Sequence, residues 1–301
     1  MIELENEELK VCFDPDFGCK IHSFFLKKAG FELAAKNEGS TSYFSDTRTV
    51  SFGDYAFGMD DAFPSIDKET LTIDGKKYEY PDHGMVWNHP FKVIDVQRNS
   101  AECSFYDEEY ALFYKKKLSL NGDTLSVFIE IDYEGEKPFP CIWTFHGLIQ
   151  YEDGIKITLP KGSDRLINVL NHEVFGKEGK ILTSDEVKMV TSKLPKKDSG
   201  DMVKYYVDGP VKEGECRVTY TTKGVEYILT YDAKTLPFLG VWITAGGLDG
   251  ANNMALEPSD GFYDSISNAE KNKAVSVLKP GEKRLINFDI RLRRVLEDKD
   301  E

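Results

Sequence analysis

The strictest constraint on what this chain can fold into is a rhythm of two. In DTLSVFIEIDY (123–133), Leu125, Val127, Ile129, Ile131 and Tyr133 alternate with a mainly polar set. RLINFDIRLRR (284–294) repeats the pattern: Ile286, Phe288, Ile290 and Leu292 alternate with Asn287, Asp289 and Arg291. Successive side chains of a strand point to opposite faces, so this alternation predicts strands with one face buried. VTYTTKGVEYILTYD (218–232) reads as two strands joined at Lys223-Gly224, and SVLKPGEKRLINF (276–288) as strand, turn and strand with Pro280-Gly281 between them. FLKKAGFEL (25–33) is a third hairpin candidate. Helix signals are sparse. SDEVKMVTSKL (184–194) fits a short helix capped by Ser184, or an irregular crossing. LPKKDSGD (194–201) reads as a surface loop, and the last residues, LEDKDE, as a frayed end. Many short strands with few short helices predict an all-β fold of large antiparallel sheets, a sandwich in preference to a barrel, although period two alone does not separate them. At 301 residues with 41% hydrophobic content, a core of that size is available. A length rule suggests two domains, but β-rich domains reach this length singly, and residues 1–301 are read as one domain.

Charge removes several functions. The formal net charge is -14, the opposite of what neutralising nucleic-acid phosphates or docking on an anionic membrane surface requires. The start, MIELENEELK, lacks the basic and apolar regions of a signal peptide, and no apolar run approaches the roughly 20 residues needed to span a bilayer. Five scattered cysteines, an odd number without a CxxC pair, fit reduced thiols better than a disulfide framework or a thiolate zinc site. The expected location is the cytoplasm. GxGxxG, GxxxxGK[ST] and GxSxG are all absent, so nucleotide-dependent and serine-hydrolase chemistry lack their usual marks.

Three stretches place polar groups in unusual settings: PDHGMVW (81–87), WTFHGL (143–148) and NMALEPSDG (253–261). His146 sits in an apolar strand and shares a face with Ile142, Thr144 and Leu148; Phe145 lies on the other face and reads as core. The bland alternative for His146 is a buried imidazole bonded to a backbone carbonyl. Glu257 follows Met254, Ala255 and Leu256 and precedes Pro258. Proline disfavours helix at Glu257 and cannot donate to a sheet, so the strand is expected to end there or to lie at an edge. That would aim the carboxylate into a cleft at the sheet mouth, or leave it on the surface. His83, in a Pro-Asp-His-Gly turn, is expected to be exposed, and Asp82 either contacts a ligand or closes the turn. Trp87, Trp143 and Trp242 fall within or near these stretches and are candidate platforms for the C–H face of a sugar, although such residues are more often core.

Taken in order, these stretches resemble the aldose 1-epimerase, or galactose mutarotase-like, family. FDPDFGCKIHSFFL (13–26) is similar to its opening strand, turn and second strand, and FPSI (63–66) before PDHGMVW to its Phe-Pro and His-Gly progression. LGVWITAGG followed by ALEPSDGFYDS is similar to the late strand that delivers a glutamate, and VLKPGEKRLINFDI to the closing hairpin. The resemblance implies a β-supersandwich and interconversion of the α and β anomers of an aldose. It implies His146 as general acid, Glu257 as general base, and His83 as a substrate contact. It implies no cofactor and no metal, with a monosaccharide or related small carbohydrate as partner. The oligomeric state stays open. The chain departs from the family in lacking an early Gly-Arg motif: FGDYAFGMDDAFP (52–64) has no arginine, and Arg48 does not align. The family's substrate aspartate has only loose candidates in Asp60, Asp61 and Asp185. The chain therefore looks like a divergent member of unassigned specificity, not a galactose enzyme proper.

Anomerisation needs one base and one acid. The base takes the proton from the C1 hydroxyl while the acid protonates the ring oxygen, and reclosure on the other face of the aldehyde reverses both transfers. A carboxylate ionised at neutral pH suits the base role, and an imidazole with an ordinary pKa of about 6.5 suits the acid role. The expected arrangement puts them on opposite sides of the hemiacetal. Without the arginine, an unphosphorylated sugar is favoured, because a phosphate calls for basic side chains around it. Two other classes remain: a non-catalytic carbohydrate-binding protein of the same fold, and a metal enzyme on His83, His146 and Glu257, which lacks HxH and HExxH spacing.

Overall fold

The computed structural model describes residues 1–36, 52–73, 75–183 and 185–295. Two large antiparallel sheets of twelve and eight strands dominate them. The strands read from alternation behave as predicted. Thr124–Tyr133 and Lys283–Arg294 are neighbours in the eight-stranded sheet, with Leu125 opposite Ile290, Val127 opposite Phe288 and Ile129 opposite Ile286. All six are buried, and the residues between them are not. The core lies between the sheets: Phe288 packs against Phe145 of the twelve-stranded sheet at a ring distance of 4.7 Å.

Two of the predicted hairpins form. Glu215–Tyr220 pairs with Val225–Tyr231. Lys20–Leu26 pairs with Phe31–Glu32 through a turn that Gly30 closes at a φ of 60°. The third does not: Ser276–Leu278 pairs with Phe139–Cys141, while Lys283–Arg294 belongs to the eight-stranded sheet. Pro280-Gly281 turns the chain from one sheet to another and does not fold it onto itself. The helix read over 184–194 spans Asp185–Ser192, and its proposed cap, Ser184, lies outside the described residues, as do Arg48 and the LEDKDE end. A second short helix, Ile266–Lys271, is capped by the Ser265 hydroxyl, which accepts from the Asn268 amide.

The strands that matter for function are consecutive in the twelve-stranded sheet but not in the chain. Lys20–Leu26 is followed by Met59–Ala62, then Thr144–Gly147, Ala251–Ser259, Phe238–Leu248 and Asp201–Val207. Register fixes which side chains share a face. His146 stands opposite Asp60, Thr144 opposite Ser259, Glu257 opposite Gly240, and Trp242 opposite Lys204. These residues all lie on the face turned away from the eight-stranded sheet.

Pro258 does not put its strand at an edge. Ala251–Ser259 is interior, and the strand runs one residue beyond the proline. The missing N–H is tolerated because the neighbouring chain is broken there: Thr144–Gly147 pairs at Ser259, and Ile149–Gln150 at Met254 and Asn253. Between them, no ladder contact on that flank has to be supplied by Pro258.

Candidate active site

On this outer face, five strands bring together a row of titratable side chains. The imidazole of His146 lies between two carboxylates: Nδ1 is 3.2 Å from Asp60 Oδ1, and Nε2 is 3.7 Å from Glu257 Oε1. Each carboxylate has a lysine behind it. Lys20 Nζ is 2.8 Å from Asp60 Oδ2, and Lys204 Nζ is 3.8 Å from Glu257 Oε2 and 2.8 Å from Asp264 Oδ1. The Tyr206 hydroxyl also donates to Asp264 Oδ1, at 2.6 Å. Lys20, Asp60, His146 and Glu257 are all at least 95% buried.

Glu257 is incompletely satisfied. Its Oε2 is buried and makes no hydrogen bond to any described residue. Leaving a buried acceptor unmade is costly, and native proteins seldom do so without a reason. The room around it comes from Gly240, its cross-strand partner, where a Cβ would sit 2.9 Å from that oxygen.

Charges along the row are set by burial and pairing. Burial pushes the Asp60 carboxyl up, but Lys20 and the hydrogen bond with His146 outweigh it and hold it at about 2. Burial likewise disfavours a charge on Lys204, yet Asp264 and Glu257 raise its pKa above the ordinary lysine value. Burial takes His83 down to about 4 against the opposing hydrogen bond to Asp82. His83 is thus a neutral imidazole at neutral pH.

A wall of aromatic rings stands beside the row. Phe52 stacks on His83 with centroids 3.7 Å apart and meets His146 edge-on at 5.0 Å. The His83 and His146 rings are 4.9 Å apart. The turn holding His83 is fixed, not the loose excursion expected from Pro-Asp-His-Gly. His83 has a φ of 56° and Gly84 of 72°, and a Cβ at Gly84 would collide with the Phe63 carbonyl at 1.9 Å. Asp82 ties the wall together: Oδ1 holds His83 Nδ1 at 2.8 Å, and Oδ2 accepts the Phe52 amide at 3.3 Å. Only a fifth of the His83 side chain is exposed.

The structure brings His146, Glu257, His83 and Asp82 into one neighbourhood and sorts the tryptophans. Trp242 lies half-buried on the same face, its Nε1 donating to Asn253 Oδ1. Trp87 is buried beneath the wall; its Nε1 donates to the Asp82 carbonyl, and its ring braces Phe52 edge-on at 5.1 Å. Trp143 is a correction. It points into the inter-sheet core, fully buried, with Nε1 donating to the Tyr114 hydroxyl at 2.8 Å. Its odd position relative to His146 puts it on the face that a ligand at His146 does not reach.

The loose aspartate candidates separate as well. Asp60 joins the row. Asp61 points the other way, to Lys116 and Tyr114. Asp185 is in open solvent at the start of its helix. His146 and Glu257 are also not on opposite sides of a sugar-sized gap; they are side by side. Sequence reasoning missed Lys20, Lys204, Asp264, Phe52 and Tyr206. Only Lys20 and Lys204 left a trace: each is a lysine within a strand, at the buried or half-buried end of the alternation. Among the described residues, no three His, Cys, Asp or Glu side chains are arranged to hold a metal ion, and no helix is long and apolar enough to cross a membrane.

No protein-family model matches the sequence, and no curated protein matches it. Solved structures do. The Slr1438 protein from Synechocystis sp. PCC 6803 superposes with a TM-score of 0.74 at 15% identity, over 97% of this chain and 95% of that one. An Escherichia coli K12 protein, described provisionally as an aldose 1-epimerase, gives 0.72 at 15% identity over 97% and 98%. A galactose mutarotase-like protein from Lactobacillus casei ATCC 334 gives 0.68 at 16% identity over 97% and 100%. Sheet order, the two-sheet core and these superpositions agree on one architecture: the chain has the galactose mutarotase-like fold.

Proposed function

We propose that the chain, working as one domain over residues 1–301, is an aldose 1-epimerase that interconverts the anomers of an unphosphorylated aldose. Glu257 is the base and His146 the acid. The observation that carries this reading is the buried Glu257 Oε2 without a hydrogen bond, beside an imidazole nitrogen 3.7 Å from the other carboxylate oxygen. A hemiacetal carbon bears both O1 and the ring oxygen, so an acceptor and a donor a few ångströms apart on one face can address both. Glu257 takes the O1 proton. The C1–O5 bond breaks as C1=O1 forms, and O5 receives the proton from His146 Nε2. Rotation about C1–C2 and the reverse transfers close the other anomer. His83, Asp82, Phe52 and Trp242 form the wall against which the sugar rests. No cofactor enters the scheme. Both lysines of the row already face carboxylates, so neither is free to receive a phosphate. The free cysteines fit action in the cytoplasm.

Saturation-transfer NMR over glucose, galactose, xylose, arabinose, rhamnose and fucose tests the proposal. At least one aldose should exchange anomers faster with the protein than without it, and Glu257→Gln should cut that rate by about 100- to 10,000-fold. Wild-type exchange rates in Glu257→Gln would refute the assignment. The depth at which His146 and Glu257 lie favours a second reading, a carbohydrate-binding protein without catalysis. Saturable sugar binding with no acceleration of any aldose would select it.

A further inference from the structure

We infer that Asp60, with Lys20 behind it, is a positioning residue that fixes the tautomer of His146 and makes it an acid only as the imidazolium. The inference rests on the proposed acid role of His146, but its first test does not. Asp60 Oδ1 is 3.2 Å from His146 Nδ1, and Asp60 Oδ2 is 2.8 Å from Lys20 Nζ. Lys20 is wholly buried, donates to the Tyr55 carbonyl at 2.8 Å, and sits among the rings of Phe17, Phe52, Phe57 and Trp87 at 4.8–5.6 Å. A cation placed so deep, with one carboxylate facing it, keeps that carboxylate ionised. An ionised carboxylate has no proton to donate, so the hydrogen between Asp60 and His146 must be on Nδ1.

The consequence falls on the other nitrogen. With Nδ1 protonated, neutral His146 presents a lone pair at Nε2, toward Glu257. Nε2 carries a proton only when the ring is cationic, and it then has Asp60 on one side and Glu257 on the other to stabilise the charge. Donation of the Nε2 proton to the ring oxygen leaves the neutral Nδ1–H tautomer, already hydrogen-bonded to Asp60, with no proton to rearrange. On reclosure Nε2 takes the proton back. The groups facing His146 from the packed elements are Asp60, Glu257, neutral His83 and the Asp82 carboxylate beside it, with Lys20 and Lys204 behind Asp60 and Glu257.

Side-chain 15N NMR of the full chain, with the His146 signals assigned by comparison with His146→Gln, is the direct test. Above the pH at which the ring deprotonates, wild-type His146 is expected to be protonated at Nδ1; a neutral Nε2–H form there would overturn the inference. Asp60→Asn should populate the Nε2–H tautomer, because its amide can donate to Nδ1. If a sugar is turned over, Asp60→Asn should lower kcat at neutral pH by at least about 10-fold, a part of the about 100- to 10,000-fold a positioned acid supplies. KM should change less than about twofold, and the alkaline limb of the kcat profile should move to lower pH. An unmoved tautomer and limb would reduce Asp60 to a structural residue. Since Asp60→Asn strands the buried Lys20, the double variant Lys20→Met/Asp60→Asn, checked for folding by circular dichroism, should show the same tautomer change. Absence of turnover in wild type would defeat the proposed function and leave the tautomer result to judge this inference.

Discussion

Asp60 and Asp61 are neighbours in the chain, and each is buried with a lysine nitrogen 2.8 Å away. Their strand sends them to opposite faces of the same sheet. Asp61 enters the core between the sheets, where Lys116 and the Tyr114 hydroxyl meet it and Tyr114 in turn accepts from Trp143. Asp60 enters the outer face, where His146 and Glu257 follow it across the sheet. A buried ion pair therefore does not mark a site. What distinguishes the outer face is an imidazole between two carboxylates, under a wall of rings held by a constrained turn. The inner pair ties one sheet to the other, with Asp61 and Lys116 both buried between them.

Three measurements would sharpen or break this contrast. The largest effect is expected from Lys116→Met. Removing one partner of a buried pair leaves the other charge uncompensated, which costs about 3–5 kcal/mol. Urea unfolding should show the loss, while anomer exchange by the folded variant stays within about twofold of wild type. A loss of turnover without a loss of stability would move Asp61 and Lys116 into the functional machinery.

Next is pH. The native Asp60 carboxyl titrates at about 2, against an ordinary value of 3.8. A lowered native pKa contributes stability that is present above pH 3.8 and disappears as the pH falls through 2. At 1.36 kcal/mol per unit the shift corresponds to about 2 kcal/mol. Asp61 has the opposite sign, since burial outweighs Lys116 and raises its pKa. The native state there holds its proton longer than the unfolded chain, so stability is lost as the pH rises above 3.8. Between pH 2 and 6, whatever the overall loss from stranding each lysine, the unfolding free energy of Asp60→Asn should lose the wild-type fall toward acid, and that of Asp61→Asn should lose the decline above pH 3.8. Slopes changing in the same direction in both variants would contradict the comparison.

The smallest effect belongs to Trp143→Phe. The smaller phenyl ring leaves a cavity in the core and the hydrogen bond to Tyr114 is lost, for about 1–2 kcal/mol together. Sugar affinity, followed by titration calorimetry, should be unaffected. Weakened sugar binding would return Trp143 to the ligand.

Most of the fold was legible in the chain because its cause is local. Alternation in 123–133 and 284–294 reports which face of a strand is dry, and the two segments prove to be partners with their apolar residues opposite one another. Of the candidate site, His146 and Glu257 stood out as polar groups on otherwise apolar strands, and His83 through its turn. The same reasoning erred where a short stretch admits two outcomes. Pro258 suggested a strand end or an edge; the strand does end one residue later, at Ser259, but it is interior, where a gap between two neighbouring strands excuses the missing donor. Pro280-Gly281 suggested a hairpin but links two sheets. Trp143 was grouped with the ligand platforms although its parity relative to His146 assigns it to the core.

By itself the sequence determined that the chain is built of half-buried strands, and on which side of each strand a given residue falls, because that information is carried by residues two apart. It did not determine that Lys20, Asp60, His146, Glu257 and Lys204 would stand in one row. Those residues come from strands spread along the chain from position 20 to position 257. Which strand lies beside which is decided by packing two large sheets together, a choice that leaves no trace in the local pattern of any of them.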